Sequence, residues 1–221
     1  GPGYPAFAHK VPAHLRAHSS DFFDYNTLAG KRIGVIGAGA SAMDSAATAL
    51  EAGAHSVDLI IRRNEIPRIN KGKGSGSPGL VHGYAGLSDD WKWRIRHYIN
   101  VQQVPPPKGS TLRVASHHNA RFNVGCPVLD IDVREDVIYL TTPKGTFVLD
   151  FLIFATGFNI DWHLRPEYAE LAPLVRTWAQ RFHPQPGQED AELAACPDLG
   201  PGFEFQPRAG VDAPGLAHIH C

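Results

Sequence analysis

The segment from Lys31 to Arg63 constrains the fold of this chain more than any other part of the sequence. It opens with the apolar run RIGVI, which reads as a buried strand, and continues through the turn GAGASA into an alanine-rich helix that extends to Glu51. Gly53 is placed to end that helix, and a second apolar run, SVDLII, follows. A strand, a glycine turn, a helix and a second strand at this spacing predict a Rossmann-like unit.

The glycine turn of this unit predicts a site for the diphosphate of a dinucleotide. Gly37 permits the sharp bend from strand to helix, and Gly39 lets the backbone approach a pyrophosphate that a Cβ atom would block. The first N–H groups of the helix, together with its dipole, attract negative phosphates. The alternative is a turn of the same shape that binds nothing. The predicted cofactor-binding residues of the turn are Gly37, Ala38, Gly39, Ala40, Ser41 and Ala42.

The end of the second predicted strand indicates which dinucleotide is bound. NAD-binding units commonly carry Asp or Glu about 20 residues beyond the glycine turn, where the carboxylate holds the ribose 2′-hydroxyl. This chain has Arg62 and Arg63 there. A guanidinium group can bind a 2′-phosphate through two hydrogen bonds, whereas a carboxylate would repel it. We therefore predict NADP(H), with a solvated basic strand end as the alternative.

The part of the chain that follows predicts shorter elements. A Gly/Ser/Lys loop over 70–79 offers nothing to pack, and Ser88 is placed to cap the next helix. From Phe122 the apolar residues alternate with polar ones, which is typical of strands with one buried face. Short strands are predicted at 128–133, 137–141 and 146–149. These strands predict an antiparallel β-meander inserted into the Rossmann-like domain, and thus an α/β fold.

The last third of the chain predicts a strand, a helix and a further strand. Residues 150–155 form a continuous apolar run, which is typical of a strand buried on both faces. Pro166 is placed to open a helix whose apolar side reaches Phe182. Residues 215–221 alternate in polarity as a strand does. Residues 1–30 show little periodicity.

Composition and cysteine placement argue against several other classes of protein. The 21 basic residues nearly balance 22 acidic ones, so no net field favours nucleic acid or an anionic membrane. No apolar run approaches the roughly 20 residues that a membrane-spanning helix needs. Cys126, Cys196 and Cys221 contain no CxxC pair, which predicts a cytoplasmic setting. His218 and His220 lack a second ligand pair at metal-site spacing, so no metal site is predicted.

The remaining aromatic and polar residues are interpreted as structural. We expect Trp91, Trp93, Trp162 and Trp178 to pack in the core or between domains. Asp44 is expected to cap or pack the helix beside the glycine turn. No catalytic residue is assigned from the sequence.

Motifs on both sides of the glycine turn carry a resemblance to a known family. The sequence HSSDF at 18–22 precedes the block GKRIGVIGAGASAMDSA, and FATGF at 154–158 follows the meander. In this order, with the two arginines between them, the motifs resemble the flavin-containing monooxygenases, within the two-dinucleotide-binding flavoproteins. The resemblance covers residues 5–165. It adds Ala155, Thr156 and Gly157 to the expected cofactor-binding residues.

The resemblance implies a division into domains. Residues 1–30 would connect from an FAD domain, residues 31–157 would form the NADP(H)-binding domain, and residues 158–221 would be an incomplete return to the FAD domain. The fold would then include the C-terminal part of an FAD-binding domain. Because the sequence contains no second glycine fingerprint, we expect the chain to be a piece of a longer protein that holds most of the FAD site elsewhere.

The resemblance also implies a reaction. NADPH would reduce FAD, the reduced flavin would take up molecular oxygen, and a hydroperoxyflavin would oxygenate a small organic substrate. The chemistry belongs to the flavin, so few acid–base residues are expected from the protein. An oligomeric state is left open.

Two positions depart from the family signature. Pro12 and His14 stand where the signature before the NADPH domain has Phe and Gly, so that His18 and Phe22 are its matches. Baeyer–Villiger members carry Trp at the position of Phe22, which argues against oxidation of ketones.

Other functions remain as alternatives. The chain is consistent with an NADP(H)-binding module that has no catalysis of its own, or with another FAD/NAD(P) oxidoreductase. A short-chain reductase is disfavoured because no tyrosine is followed by lysine four residues later. A flavin disulfide reductase is disfavoured because the cysteines are far apart in the sequence.

Overall fold

The computed structural model describes residues 1–159 and 166–221, which form two compact units. The sheet unit comprises Pro2–Ile69 and Val104–Asn159. The helical unit comprises Asn70–Gln103 and the described residues from 166 onward, with Gly1. The domain boundaries expected at residues 30 and 157 stay a prediction about the whole protein.

Parallel and antiparallel strands form separate sheets. The strands are β1 (Arg16–His18), β2 (Arg32–Ile36), β3 (Ser56–Ile60), β4 (Ala120–Asn123), β5 (Asp130–Arg134), β6 (Val137–Thr142), β7 (Gly145–Leu149) and β8 (Phe151–Phe154). Five of them form an all-parallel sheet in the order β1-β8-β2-β3-β4. The other three form the antiparallel meander β5-β6-β7. The predicted α/β fold with an inserted meander is confirmed.

The helices are α1 (Ala40–Glu51), α2 (Pro78–Gly83), α3 (Asp89–Gln102), α4 (Lys108–Ala115), α5 (Trp178–Arg181) and α6 (Ala191–Ala195). Helix α1 forms where the sequence predicts it, because its run of small residues lets it lie close to the sheet. Gly53 ends it with φ +87°, a conformation that favours glycine. None of the helices in residues 1–159 and 166–221 combines the length and the apolar composition that a membrane span requires.

Two apolar clusters hold the sheet unit together. The first lies between the parallel sheet and α1, and it buries Ala42, Met43 and Ala46 of the helix. The second joins the opposite side of the sheet to the meander. Strand β8 contributes to both clusters, since Ile153 packs in the first and Leu152 and Phe154 pack in the second. This two-sided burial is what the continuous apolar run predicted.

An ion pair closes the amino-terminal edge of the parallel sheet. Arg32 donates to Asp150 through Nε at 3.0 Å, through Nη2 at 2.5 Å and through its backbone N–H at 2.8 Å. These hydrogen bonds hold the pKa of the Asp150 carboxyl below its usual range. The pair fixes the start of β2 against the turn that leads into β8.

Two elements of the sheet unit, β1 and α4, differ from the sequence-based expectation. Arg16–His18 forms an edge strand, although residues 1–30 show little periodicity. A strand of three residues is too short to show an alternating pattern, and its pairing with β8 holds it in place. Helix α4 was not predicted. It packs on α1, where Arg113 forms an ion pair with Glu51 at 2.6 Å.

The helical unit departs further from the expectation. The segment 70–79 is not a loop without structure, because Ser77 caps α2 and accepts a hydrogen bond from Leu80 N–H at 3.4 Å. The helix predicted from Pro166 to Phe182 is wrong. A 3-10 turn at Pro166–Tyr168 and the short α5 take its place, because Pro173 lacks the N–H that a helix needs in its interior.

The strand predicted at 215–221 is also wrong. Pro214–His218 forms a 3-10 turn instead, and it buries Leu216 against Val175 and Phe205. His220 makes a single bridge to Glu204. Pro214 and Gly215 favour a turn more strongly than the alternating polarity favours a strand.

A buried carboxylate organises the helical unit. Asp198 is fully buried and pairs with Arg176 at 2.6 Å and with Arg181 at 2.5 Å. Arg181 also pairs with Asp89 at the start of α3, at 2.7 Å. The two guanidinium groups balance the buried charge and connect α5 to α3.

Truncation of a buried side chain of β8 is expected to destabilise the sheet unit strongly. Leu152→Ala should lower the free energy of unfolding by about 2–5 kcal/mol, because Leu152 is fully buried and the space it leaves cannot collapse. Urea denaturation followed by circular dichroism measures the change. Leu129→Ala is the matched control, since Leu129 is 63% exposed and its loss should cost about 0.5 kcal/mol or less. Equal losses for the two variants would contradict the described core.

Candidate functional site

Three predicted motifs meet at the carboxyl-terminal edge of the parallel sheet. Ile36, the last residue of β2, pairs with Ile60 of β3 on one side and with Phe154 of β8 on the other. The chain leaves β2 towards β3 and β4, whereas β8 lies on the opposite side. A crevice at such a switch in strand order is where open α/β sheets bind their ligands.

Gly37 makes the sharp bend at the end of β2. Its φ is +142°, and a Cβ atom there would overlap the carbonyl oxygen of Ala155. Ala155 N–H donates to Ile36 O at 2.9 Å, and Gly37 N–H donates to Ile60 O at 3.2 Å. The glycine is therefore required by the close approach of the β8 end, which brings the glycine turn and the FATGF motif together.

Gly39 provides open space at the start of α1. It is the N-cap of the helix with φ −85°, and no atom lies within 4 Å of the position its Cβ would take. Met43 N–H donates to Gly39 O at 3.1 Å, which begins the hydrogen bonding within the helix. The N–H groups of residues 40–42 therefore have no acceptor within the helix. Ala40 and Ser41 are exposed, which leaves this end of the helix accessible to an anion.

Ala38 and Ala42 pack the glycine turn and the start of α1 against the apolar cluster of the sheet. Ala42 is fully buried in the cluster between α1 and the sheet, and Ala38 is half-buried against the same cluster. A larger side chain at Ala42 would separate the helix from the strand. This placement agrees with the small third residue that the fingerprint requires.

Arg62 and Arg63 follow β3 at the same edge of the sheet. Ile61 N–H still donates to Asn123 O at 2.9 Å, and beyond it the chain leaves the sheet. Arg62 is exposed, and within the part of the chain that the structure describes it forms no hydrogen bond or ion pair. Arg63 is half-buried, and its carbonyl accepts from Gly125 N–H at 2.6 Å. Arg62 is thus the more available of the two guanidinium groups.

Lys144 is a cation at this edge that the sequence reasoning missed. It stands at the tip of the β6–β7 hairpin, and its Nζ lies 3.6 Å from the position that a Cβ on Gly125 would take. Gly125 itself is bonded to Arg63. The only sequence signal for Lys144 was the hairpin-turn sequence PKG. Its position beside the arginines could be recognised only from the tertiary structure.

The HSSDF and FATGF motifs contact each other through His18, which is fully buried. Its Nε2 lies 2.9 Å from Gly157 O, and its Nδ1 lies 3.2 Å from Ser20 N and 2.7 Å from Ser20 Oγ. Because a carbonyl can only accept, the geometry assigns the proton to Nε2 and leaves Nδ1 to accept from Ser20. Gly157 O also accepts from Gly3 N–H at 2.8 Å, so its loop is held from two sides.

Thr156 completes this loop. Its hydroxyl donates to Gly3 O, and Gly157 adopts φ +81°. Ala155, Thr156 and Gly157 therefore lie directly beyond β8, and their part in binding a cofactor stays a prediction. Phe158, the next residue, is 61% exposed and packs against the His18 ring in a T-shaped arrangement, with the ring centroids 5.4 Å apart.

The structure bears out the structural interpretation for some of the remaining residues and not for others. Asp44 lies 3.5 Å from Arg113. Trp93 is buried and donates through Nε1 to Gln188 O at 2.8 Å, whereas Trp91 is 52% exposed and is not a core residue. Trp162 lies outside the described residues. Over residues 1–159 and 166–221, no group of three or more His, Cys, Asp or Glu side chains is placed to hold a metal ion.

Two glycine substitutions should separate fold from binding site. Gly37→Ala is expected to lower the free energy of unfolding by about 3 kcal/mol or more, because it combines positive φ with a clash against backbone. Gly39→Ala should cost about 1 kcal/mol or less, since its φ suits alanine and its Cβ enters open space. Urea denaturation distinguishes the two. A larger loss for Gly39→Ala would contradict the geometry of the turn.

Comparison with known proteins gives a relative in sequence. The chain is 38% identical over 203 residues to the FAD-dependent urate hydroxylase of Xanthomonas campestris pv. campestris. The match covers 92% of this chain and 43% of the relative, so the chain spans less than half of that protein's length. No protein-family model matches the chain.

Solved structures share the fold at low sequence identity. L-lysine 6-monooxygenase from Pseudomonas syringae matches with a TM-score of 0.65 and 13% identity, over 95% of this chain and 52% of that one. The ornithine N-hydroxylase of Kutzneria sp. 744, solved with reduced FAD, NADP⁺ and L-ornithine, matches with a TM-score of 0.64 and 18% identity, over 93% of this chain and 51% of that one. The chain is therefore a homologue of part of a FAD-dependent hydroxylase with the fold of flavin monooxygenases, which confirms the predicted relationship to this family.

Proposed function

We propose that the carboxyl-terminal edge of the parallel sheet binds NADP(H). We further propose that the whole protein is a monooxygenase that uses FAD, NADPH and molecular oxygen. One observation carries the first proposal: an open helix N-terminus at Gly39 lies beyond β2, and Arg62, a guanidinium without a partner among the described residues, lies beyond the adjacent strand.

The diphosphate would lie against the start of α1. The absence of a side chain at Gly39 leaves the space for it, and the N–H groups of Ala40 and Ser41 are accessible donors. No carboxylate is needed for this interaction, because backbone donors and the helix dipole suffice to bind an anion. The buried Ala42 fixes the helix so that these donors keep their direction.

The 2′-phosphate would be bound by Arg62. An exposed arginine without a carboxylate partner is free to form two parallel hydrogen bonds with a phosphate. Arg63 and Lys144 add positive charge at the same strand end. An NAD-binding site would instead place a carboxylate there, and neither Arg62 nor Arg63 can take that role.

FAD enters the proposal through the relatives. The sequence has one glycine fingerprint, and its residues fit the diphosphate of one dinucleotide. When bound, FAD would accept electrons from NADPH and activate oxygen, as the resemblance implies. The part that this chain plays is to bind and orient the nicotinamide dinucleotide. The His18–Gly157 contact would hold the loop beyond β8 in a fixed position beside it.

The substrate is proposed to be a small organic molecule. The homologue acts on urate, and the structural relatives act on lysine and ornithine. Since the urate hydroxylase shares 38% of its aligned residues with this chain, urate is the first substrate to assay. The alternative function is an NADP(H)-binding module without catalysis of its own.

Loss of the exposed arginine should weaken NADPH binding selectively. We expect Arg62→Ala to raise the Kd for NADPH about tenfold or more, because a charge-assisted hydrogen bond to phosphate contributes about 1.5–3 kcal/mol. The Kd for NADH should change by less than about twofold, since NADH has no 2′-phosphate. Isothermal titration calorimetry measures both constants.

Arg134→Ala is the matched control for this experiment. Arg134 is an exposed arginine of the same unit, on β5 of the meander, where it pairs with Asp132. It should leave both Kd values unchanged. Equal weakening of NADPH and NADH by Arg62→Ala would show that Arg62 does not bind the 2′-phosphate.

The visible spectrum tests the enzyme. The purified protein that carries this chain with its flanking segments should show flavin absorption in near-stoichiometric amount. NADPH should bleach it without air, and air should restore it. A colourless protein that still binds NADPH would support the non-catalytic alternative and overturn the monooxygenase.

A further inference from the structure

A groove in the helical unit lies along the exposed face of α3. Its volume is about 510 Å³, and Trp91 and Tyr98 form an aromatic side of it. These rings are 52% and 49% exposed, although aromatic rings of this size are usually covered by protein. Ile95 lies between them on the same face, so the groove presents a continuous apolar strip.

The opposite faces of α3 explain why this strip is open. Trp93 points into the helical unit, where it is 3% exposed and packs against Trp178 and Phe182. Asp89 anchors the start of the helix to Arg181. One face of α3 thus packs into the core of the unit, and the face with Trp91 and Tyr98 stays exposed.

The segment before α2 forms the second wall of the groove. Lys71 Nζ donates to Gln102 Oε1 at 2.7 Å, which ties this segment to the end of α3. A Cβ on Gly72 would lie 3.2 Å from Ile99 Cγ2, so glycine allows the backbone to run close to the helix. Two walls held by such contacts make a defined groove.

The charged side chains that line the groove, Lys71 and Arg94, are positive. No carboxylate appears among its described lining residues. Arg94 lies over the Trp91 ring, 4.7 Å from its centroid. Its carboxylate partner, Asp90, is 3.7 Å away and lies outside the groove lining. A neighbouring groove that shares Leu80 and Ile95 adds Arg96, again with no carboxylate among the described residues that line it.

A second groove of the protein shows the contrast. The groove on the meander has a volume of about 650 Å³ and an arginine, Arg134, over the ring of Tyr139. Asp130 and Asp132 line it as well, and Asp132 pairs with Arg134. Lys10 also lines this groove and pairs with Asp130, so each of its two cations has a carboxylate partner within the groove. The groove on α3 instead offers flat aromatic surface and cations with no carboxylate among its described lining residues.

We propose that the groove on α3 binds a small planar aromatic anion. The ring of the ligand stacks on Trp91 and Tyr98, and its carboxylate or equivalent anionic group is bound by Arg94 and Lys71. This site goes beyond the NADP(H) site, because it uses residues of the helical unit alone. It requires neither FAD nor turnover, so its test is independent of the proposed enzyme.

Three probes separate the contributions of shape and charge to binding. 1-Naphthoate is planar and anionic, 1-naphthylmethanol has the same ring without the charge, and cyclohexanecarboxylate has the charge without the flat ring. Titration of the 221-residue chain by calorimetry should show saturable binding of 1-naphthoate, weakened by added salt. Each of the other two probes should bind at least about tenfold more weakly.

Two variants place the binding in the groove. Trp91→Ala should raise the Kd for 1-naphthoate about tenfold, the range expected for the loss of a stacking ring. Arg94→Gln should raise it about two- to fivefold, as expected for an exposed ion pair. Both side chains are exposed, so circular dichroism should show an unchanged fold. Arg134→Gln is the matched control, since it removes an arginine stacked on the ring of Tyr139 in the other groove.

Three outcomes would overturn the proposal. The first is the absence of saturable 1-naphthoate binding at millimolar concentration. The second is equal affinity for 1-naphthylmethanol, which would leave an apolar surface without selection for charge. The third is an unchanged Kd in a folded Trp91→Ala variant, which would place the ligand elsewhere. Saturable binding that both groove variants weaken and the control variant does not would support the site.

Discussion

The close approach of β8 to the end of β2 determines the geometry of the candidate site. Gly37 must be glycine because the carbonyl of Ala155 occupies the space of its side chain, and Ala155 is in turn bonded to Ile36. This contact places the glycine turn directly beside the FATGF loop. His18 then holds that loop through Gly157 O, so three motifs that are distant in sequence share one edge of the sheet.

The sequence predicted the parts of the fold whose signals are local. The glycine turn, α1, β3, the meander and the two-sided burial of β8 each follow from a repeating pattern or from a residue with restricted conformation. Predictions that rested on the pattern of apolar and polar residues were wrong where a proline interrupts the element or directly precedes it, as at Pro173 and Pro214. Arg16–His18 could not be recognised from its own residues, because a three-residue edge strand depends on its partner.

The sequence predicted which residues belong to the candidate site, but not the contacts that these residues make. The residues of the turn and the arginines were identified from spacing, but the availability of Arg62 and the placement of Lys144 depend on the tertiary fold. The buried His18 was known only as part of a motif. In the helical unit, Trp91 was expected to pack in the core or between domains, but the structure shows that Trp93 fills the core and leaves Trp91 and Tyr98 exposed.

The central claim is that NADP⁺ binds at the start of α1 and beside Arg62. Amide chemical shifts of the isotope-labelled 24.1-kDa chain, recorded during titration with NADP⁺, test it most directly. The largest and saturable changes should occur at the amides of Gly39, Ala40 and Ser41, with changes at Arg62 that NAD⁺ does not reproduce. Absence of change at these amides at millimolar NADP⁺, or largest changes on the meander, would contradict the account.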